Sequence, residues 1–220
     1  MERKSYFWLF LGVLWLINTG EVRSQETRGP SFAASSQGGH QLNTTGKTNT
    51  AGFDRVYALA MNPAGKEMFL GTDVGLFRST DGGRTWKQMS VSAKQPSLDV
   101  VAVAPDQKQT STIYIATRQA GVFTSADGGT NWRAINNGLG GLEVHGLALD
   151  PNDGKLYAVI RNKGQAIFRS PNGGGKWSRV NGGPGQEITL LSSVNVPSGM
   201  GGIFLYAGTV EGLQRSPDCF

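Results

Sequence analysis

The stretch "STDGGRTW", residues 79–86, decides how the rest of the chain is read. An aspartate two residues after a serine, then two glycines and a tryptophan, has the make-up of a tight turn between strands. The Asp side chain can accept backbone N–H groups a few residues ahead, and the serine does the same more weakly. The glycines permit the positive φ that a sharp reversal demands. The stretch recurs as "SADGGTNW" at 125–132 and "SPNGGGKW" at 170–177, and "SPD" at 216–218 begins a fourth copy. The serines at 79, 125, 170 and 216 are separated by 46, 45 and 46 residues. A period in the mid-forties is what one four-stranded propeller blade occupies.

Each period carries the same upstream pattern. "VYALAMNP", "LDVVAVAP", "VHGLALDP" and "ITLLSSVN" are apolar runs, the first three ending at proline turns. Then come "EMFLGT", "TIYIAT", "KLYAVI" and "IFLYAG", followed by "GLFRS", "GVFTS", "AIFRS" and "GLQRS". "TWKQMS", "NWRAIN" and "KWSRVN" close the first three units, with the Trp expected to begin the outer strand. Short β-branched and aromatic runs, bounded by Gly, Pro, Asn and Asp at regular spacing, give an all-β repeat. The excess of glycine, 32 of 220 residues, agrees with many tight turns.

S-x-D-x-G-x-T-W is the Asp-box, or BNR repeat, and residues 79–86 match every specified position. The chain resembles the β-propellers of sialidases, xyloglucan-cleaving glycoside hydrolases, sortilin-type receptors and a photosystem II assembly factor. The resemblance covers residues 53–218 and implies four-stranded antiparallel blades at 53–91, 98–136, 142–181 and 186–220. The last of these is incomplete. About four blades with the last cut short is an incomplete ring, for which truncation is the first explanation and self-association of copies the second. A third would have residues 31–50 supply the missing outer strand.

In this reading the Asp-box residues are structural: Ser79, Asp81, Gly83 and Trp86; Ser125, Asp127, Gly129 and Trp132; Ser170, Asn172, Gly174 and Trp177. Asn172 still offers a carbonyl acceptor but no charge, a change that a catalytic carboxylate would not survive. An alternating meander places these turns on one face of the propeller. The opposite face, made of the second-to-third-strand loops and the connections between blades, is where the site is expected. It carries Asp73, Arg118, Arg161, Lys163 and Glu211, with Glu143, His145 and Glu187 in or just after the connections. Tyr57 falls inside an apolar run and reads as packing.

Outside the repeat, Arg3 and Lys4 precede the uncharged run Tyr6–Ile17, too short to span a bilayer but suited to a signal peptide cleaved after Ser24. An uncleaved N-terminal anchor is the alternative. The protein is therefore expected to be exported, with no stable membrane span after cleavage. Residues 25–52 are polar and small and read as a linker. Their "GKT" at 46–48 lacks the first glycine and preceding strand of a phosphate loop. Cys219 is the only cysteine, so no disulfide forms within the chain. Net charge is +5 without a concentrated basic patch, which argues against nucleic acid.

Glycoside hydrolysis commonly needs two carboxylates facing each other across a sugar. Resemblance to sialidases would further imply three substrate-gripping arginines, a tyrosine nucleophile and an Arg-Ile-Pro segment, and that segment is absent before the first Asp-box. With only His40 and His145 present, no His-rich metal cluster is available. No catalytic residue, metal or cofactor is assigned. The sequence favours an exported, non-catalytic propeller that binds a protein or a carbohydrate, over a fragment of a BNR-repeat glycoside hydrolase.

Overall fold

A computed structural model of the chain describes residues 53–92, 98–162, 164–194 and 204–216. The leader, the linker, Lys163 and Cys219 lie outside these residues. The described part is all-β, with four antiparallel sheets arranged as the blades of a propeller.

Blade 1 is the meander β1 (Val56–Met61), β2 (Met68–Thr72), β3 (Gly75–Ser79) and β4 (Lys87–Met89). Blade 2 repeats it with β5 (Val100–Pro105), β6 (Ile113–Thr117), β7 (Gly121–Ser125) and β8 (Arg133–Ala134). Blade 3 contains β9 (Val144–Leu149), β10 (Leu156–Arg161), β11 (Gln165–Ser170) and β12 (Ser178–Arg179). Blade 4 has β13 (Ile188–Val194), β14 (Phe204–Thr209) and β15 (Gly212–Ser216), with no fourth strand among the described residues.

The outer strands are shorter than the sequence pattern suggests, and each Trp stands before its strand rather than starting it. In blade 3 the Trp177 backbone N–H donates instead to Asn137 O, in the connection from blade 2, at 2.8 Å.

The core lies at the joints between blades, because alternation along each strand gives every sheet two apolar faces. Blades 1 and 2 meet through Phe69, Leu76, Val100, Ile113 and Ile115. Blades 2 and 3 meet through Tyr114, Val122, Val144, Leu156 and Ile160. Tyr157, Val159 and Ile167 of blade 3 meet Ile188, Leu191 and Leu205 of blade 4. The inner strands β1, β5, β9 and β13 contact one another in that order. They line a central cleft of about 950 Å³, whose walls are mainly Ala, Val and Leu.

One irregularity recurs in all four blades. The pairing of the first two strands slips between Val56 and Ala58, between Val100 and Ala102, opposite Val159 and Ile160, and between Ile188 and Leu190. Each slip leaves one extra inner-strand residue: Tyr57, Val101, His145 and Thr189. A bulge bends the strand and re-aims the extra side chain. All four sit at the same end of the cleft, where the chain enters the inner strand.

Candidate functional site at the cleft mouth

Antiparallel meanders reverse alternately at the two ends of the blades, so the β2–β3 loops share an end with the starts of the inner strands. Backbone hydrogen bonds fix this. Asp73 N donates to Arg55 O at 3.3 Å, Arg118 N to Asp99 O at 2.9 Å, and Arg161 N to Glu143 O at 3.0 Å. The Asp-box turns are at the other end.

Those turns are closed on themselves. In blade 1, Ser79 Oγ donates to Asp81 Oδ1 at 2.8 Å while accepting Gly83 N at 2.9 Å. Asp81 also accepts the Thr85 N–H at 2.9 Å and the Thr85 hydroxyl at 2.6 Å. The Thr85 side chain, the Thr85 N–H and Ser79, in that order, hold the Asp81 pKa down at about 2. In blade 2, Asp127 accepts Ser125 Oγ at 2.8 Å and the Asn131 N–H and side-chain amide at 2.8 and 2.7 Å. The Asn131 N–H is the main reason that its pKa also lies at about 2. In blade 3, Asn172 Oδ1 accepts Ser170 Oγ at 3.0 Å and Lys176 N at 3.2 Å, while Gly174 N donates to Ser170 Oγ. The positive φ of Gly83, Gly129 and Gly174, 85°, 87° and 91°, makes these positions suit glycine. Asp81 accepts three hydrogen bonds from its own turn and Asp127 four, so both carboxylates are committed to closing the turn.

The Asp-box tryptophans pack in different ways. Trp177 is buried, and its indole N–H donates to Ile135 O of blade 2 at 2.6 Å. Trp86 is buried with Leu70 and Phe77. Trp132 is half-buried and donates to Gly129 O within its own turn at 3.0 Å.

The mouth is charged. Arg118 donates from Nε to Asp99 Oδ2 at 3.1 Å, and its guanidinium carbon lies 5.0 Å from the centre of the Tyr57 ring. Tyr57, a packing residue by its sequence context, is thus a bulged residue beneath an arginine of the next blade. His145, the bulged residue of blade 3, has Nε2 2.8 Å from Glu143 Oε1. That hydrogen bond is the first cause lowering the Glu143 pKa, and the charges of His145, Arg161 and Arg118 add to it. Arg161 bonds Glu187, which leads into blade 4. Gln186 beside it bridges Glu211 and Gln214.

Arg118, Glu143, Arg161 and Glu187 therefore form one run of alternating charge over blades 2 to 4, with His145 against Glu143 and Glu211 at its end. Asp73 stands apart at blade 1, accepting the backbone N–H groups of Asp54 and Arg55 at 3.3 Å each. Asp99 and Gln186 were not singled out from the sequence, and Tyr57 was read only as packing. The shared register of Tyr57 and His145 was the available signal for the last. Among the described residues, no group of three or more His, Cys, Asp or Glu side chains is placed to hold a metal ion.

The repeat, its pairing and its turns agree with a family profile that matches residues 33–219, described as photosynthesis system II assembly factor YCF48. The chain belongs to this family. No curated protein matches it. Solved propellers share the fold of this YCF48-family chain at low identity. An ancestral GH74 enzyme is 20% identical, with a TM-score of 0.59 over 73% of this chain and 25% of its own. A component of a nidogen/laminin complex is 16% identical, with a TM-score of 0.58 over 74% of this chain and 60% of its own. YCF48 bound to D1 peptide is 18% identical, with a TM-score of 0.48 over 70% of this chain and 46% of its own. The chain thus spans a quarter of the GH74 enzyme and under half of that YCF48.

Proposed function

We propose that this chain is a non-catalytic propeller scaffold that binds a polypeptide segment across the cleft mouth. The observation that carries this reading is the run of alternating charge from Arg118 to Glu187. It is held in place by Asp99, Tyr57 and His145. Preformed charges of both signs suit a peptide, which presents backbone dipoles and side chains of either charge, and they favour specificity. The mouth carboxylates Asp73, Glu143, Glu187 and Glu211 each accept a hydrogen bond from the protein, an arrangement that supports recognition over acid–base work.

Family membership supplies a probe, since a solved YCF48 is described as bound to D1 peptide. Anisotropy titration of labelled D1 peptide is expected to show saturable binding. Arg118→Glu with Arg161→Glu is expected to weaken it by about tenfold or more. Indifference of binding to these changes would overturn the reading. So would turnover of fluorogenic sialosides or β-glucans that is abolished by Asp73→Asn or Glu211→Gln.

We also propose that the protein acts after export, with residues 1–24 removed. This rests on the charged start and short apolar run of the leader. Terminal sequencing should find Gln25 first. Retention of Met1 would sink the idea.

A further inference from the structure

Of the four bulged inner-strand residues, Tyr57, Val101, His145 and Thr189, only His145 belongs to the residue type whose charge changes near neutral pH. The register slip opposite Val159 and Ile160 makes it the extra residue of its strand and re-aims its side chain. Its Nε2 then lies 2.8 Å from Glu143 Oε1. The two side chains differ in depth. That of His145 is 15% exposed and that of Glu143 47%, so a ligand at the mouth meets the carboxylate with the imidazole beneath it.

The neighbouring carboxylates have partners of fixed charge. Asp99 pairs with Arg118, and Glu187 with Arg161. Guanidinium groups stay protonated at any pH that the fold meets. Among the described residues, the direct side-chain partner of Glu143 is His145, while Arg161 and Arg118 act on it through their charge alone. The hydrogen bond from His145, and after it the charges of His145, Arg161 and Arg118, hold the Glu143 carboxyl below its ordinary value, so it stays ionised through neutral pH. The charged groups around His145 are thus Glu143 and Arg161 of its own blade, Arg118 and Asp99 of blade 2, and Glu187 of blade 4. Val101 and Thr189, at the same register of the flanking inner strands, carry no charge. With the imidazole neutral, three carboxylates stand against two guanidinium groups. Protonation of His145 balances them.

We propose that His145 sets the charge preference of the mouth: gaining a proton turns it toward acidic segments, and losing the proton turns it toward basic ones. The inference rests on the peptide-binding reading and adds what regulates it. No rearrangement is needed. A neutral imidazole with its proton on Nε2 still donates to Glu143, so the contact stands in both states. What changes is one unit of charge directly behind the carboxylate that a ligand meets. At such a distance one charge alters the affinity of another by a few-fold even when solvent screens it. The effect is reciprocal, because a ligand that prefers the protonated state must also favour its protonation.

Two peptides test it, identical except that one carries glutamates where the other carries lysines, each labelled with a dye of constant charge. Neither side chain titrates between about pH 6 and pH 8. Anisotropy titrations of the full chain give the ratio of glutamate-peptide to lysine-peptide affinity. That ratio is expected to rise by about fivefold from pH 8 to pH 6 in the wild type. In His145→Gln, which keeps a donor toward Glu143 but no titrating charge, it should stay level. Proton NMR of the His145 ring follows the same event without a variant. The glutamate peptide should move the ring's titration midpoint up, and the lysine peptide should move it down. A wild-type ratio that ignores pH, or one that His145→Gln follows equally, overturns the proposal and leaves the peptide-binding reading standing. A midpoint that bound peptide does not move overturns it as well. Binding of neither peptide at either pH overturns it together with that reading.

Discussion

The Asn131 side-chain amide donates to Asp127 Oδ2 at 2.7 Å, the role that the Thr85 hydroxyl plays toward Asp81 in the preceding blade. Both turns thus favour an ionised aspartate, and both pKa values fall from 3.8 to about 2. A group with a depressed folded pKa stabilises the native state above its unfolded pKa and loses that contribution as pH falls through the folded value. Between about pH 4 and pH 2 the protein should therefore lose stability through these two turns. Asn172 shows that an amide still closes the turn, so Asp81→Asn with Asp127→Asn should flatten the thermal-midpoint profile over that range. Midpoints for wild type and double variant that fall in parallel would show that these carboxylates are not coupled to folding.

That turn was legible because its partners lie within about four residues, where sequence spacing and side-chain chemistry suffice. The blade count and strand order were legible for a related reason, as a meander is built from neighbours and repeats every 45 or 46 residues. The mouth was read only in part. Arg118 and Arg161 fall in loops whose end of the blade follows from counting reversals. Asp99, by contrast, becomes a partner of Arg118 through the β5–β6 pairing within blade 2, and Tyr57 reaches it across a blade joint from a bulge. Trp177 shows the same limit. Its backbone N–H is held by Asn137 in the connection from blade 2, a partner that local spacing does not show.

Trp177 should matter more than Trp132. It is 2% exposed and clusters with Ile135 and Tyr114 of blade 2 and Leu156 of its own blade, with its indole N–H on the Ile135 carbonyl. Trp177→Ala is expected to cost about 3–5 kcal/mol, in the range for deleting a buried aromatic. Trp132 is half-buried and bonds within its own turn, so Trp132→Ala should cost distinctly less. Chemical denaturation of both variants gives the comparison, and equal losses would refute the cross-blade role of Trp177.

Glycine at one register, Gly71 opposite Leu76 and Gly208 opposite Leu213, should matter more in blade 1 than in blade 4. A Cβ at position 71 would stand 2.5 Å from the Val100 carbonyl and 3.0 Å from its Cγ1, and a backbone atom cannot swing aside. Gly71→Ala should therefore destabilise by about 1–3 kcal/mol, as overpacking does. Gly208→Ala meets only the Leu190 Cβ, at 3.3 Å, and should cost distinctly less. Chemical denaturation of the two variants separates them. A tolerated Gly71→Ala would mean that the first joint is looser than its geometry indicates.

Arg118 ties two blades together where the mouth opens, with the Tyr57 ring 5.0 Å below it and Asp99 beside it. Its side chain is 35% exposed, so solvent screens the ion pair and leaves it a modest contributor. The contact with the ring is less screened at its protein side and should couple Arg118 to Tyr57 by about 0.5–1 kcal/mol. A double-mutant cycle with Arg118→Ala and Tyr57→Ala isolates that term, with Tyr57→Phe keeping the ring and therefore most of the coupling. Independent effects of Arg118→Ala and Tyr57→Ala would mean that the bulge aims Tyr57 without holding the arginine. Coupling retained by Phe and lost with Ala would identify the ring face as the support on which blade 2 presents its charge.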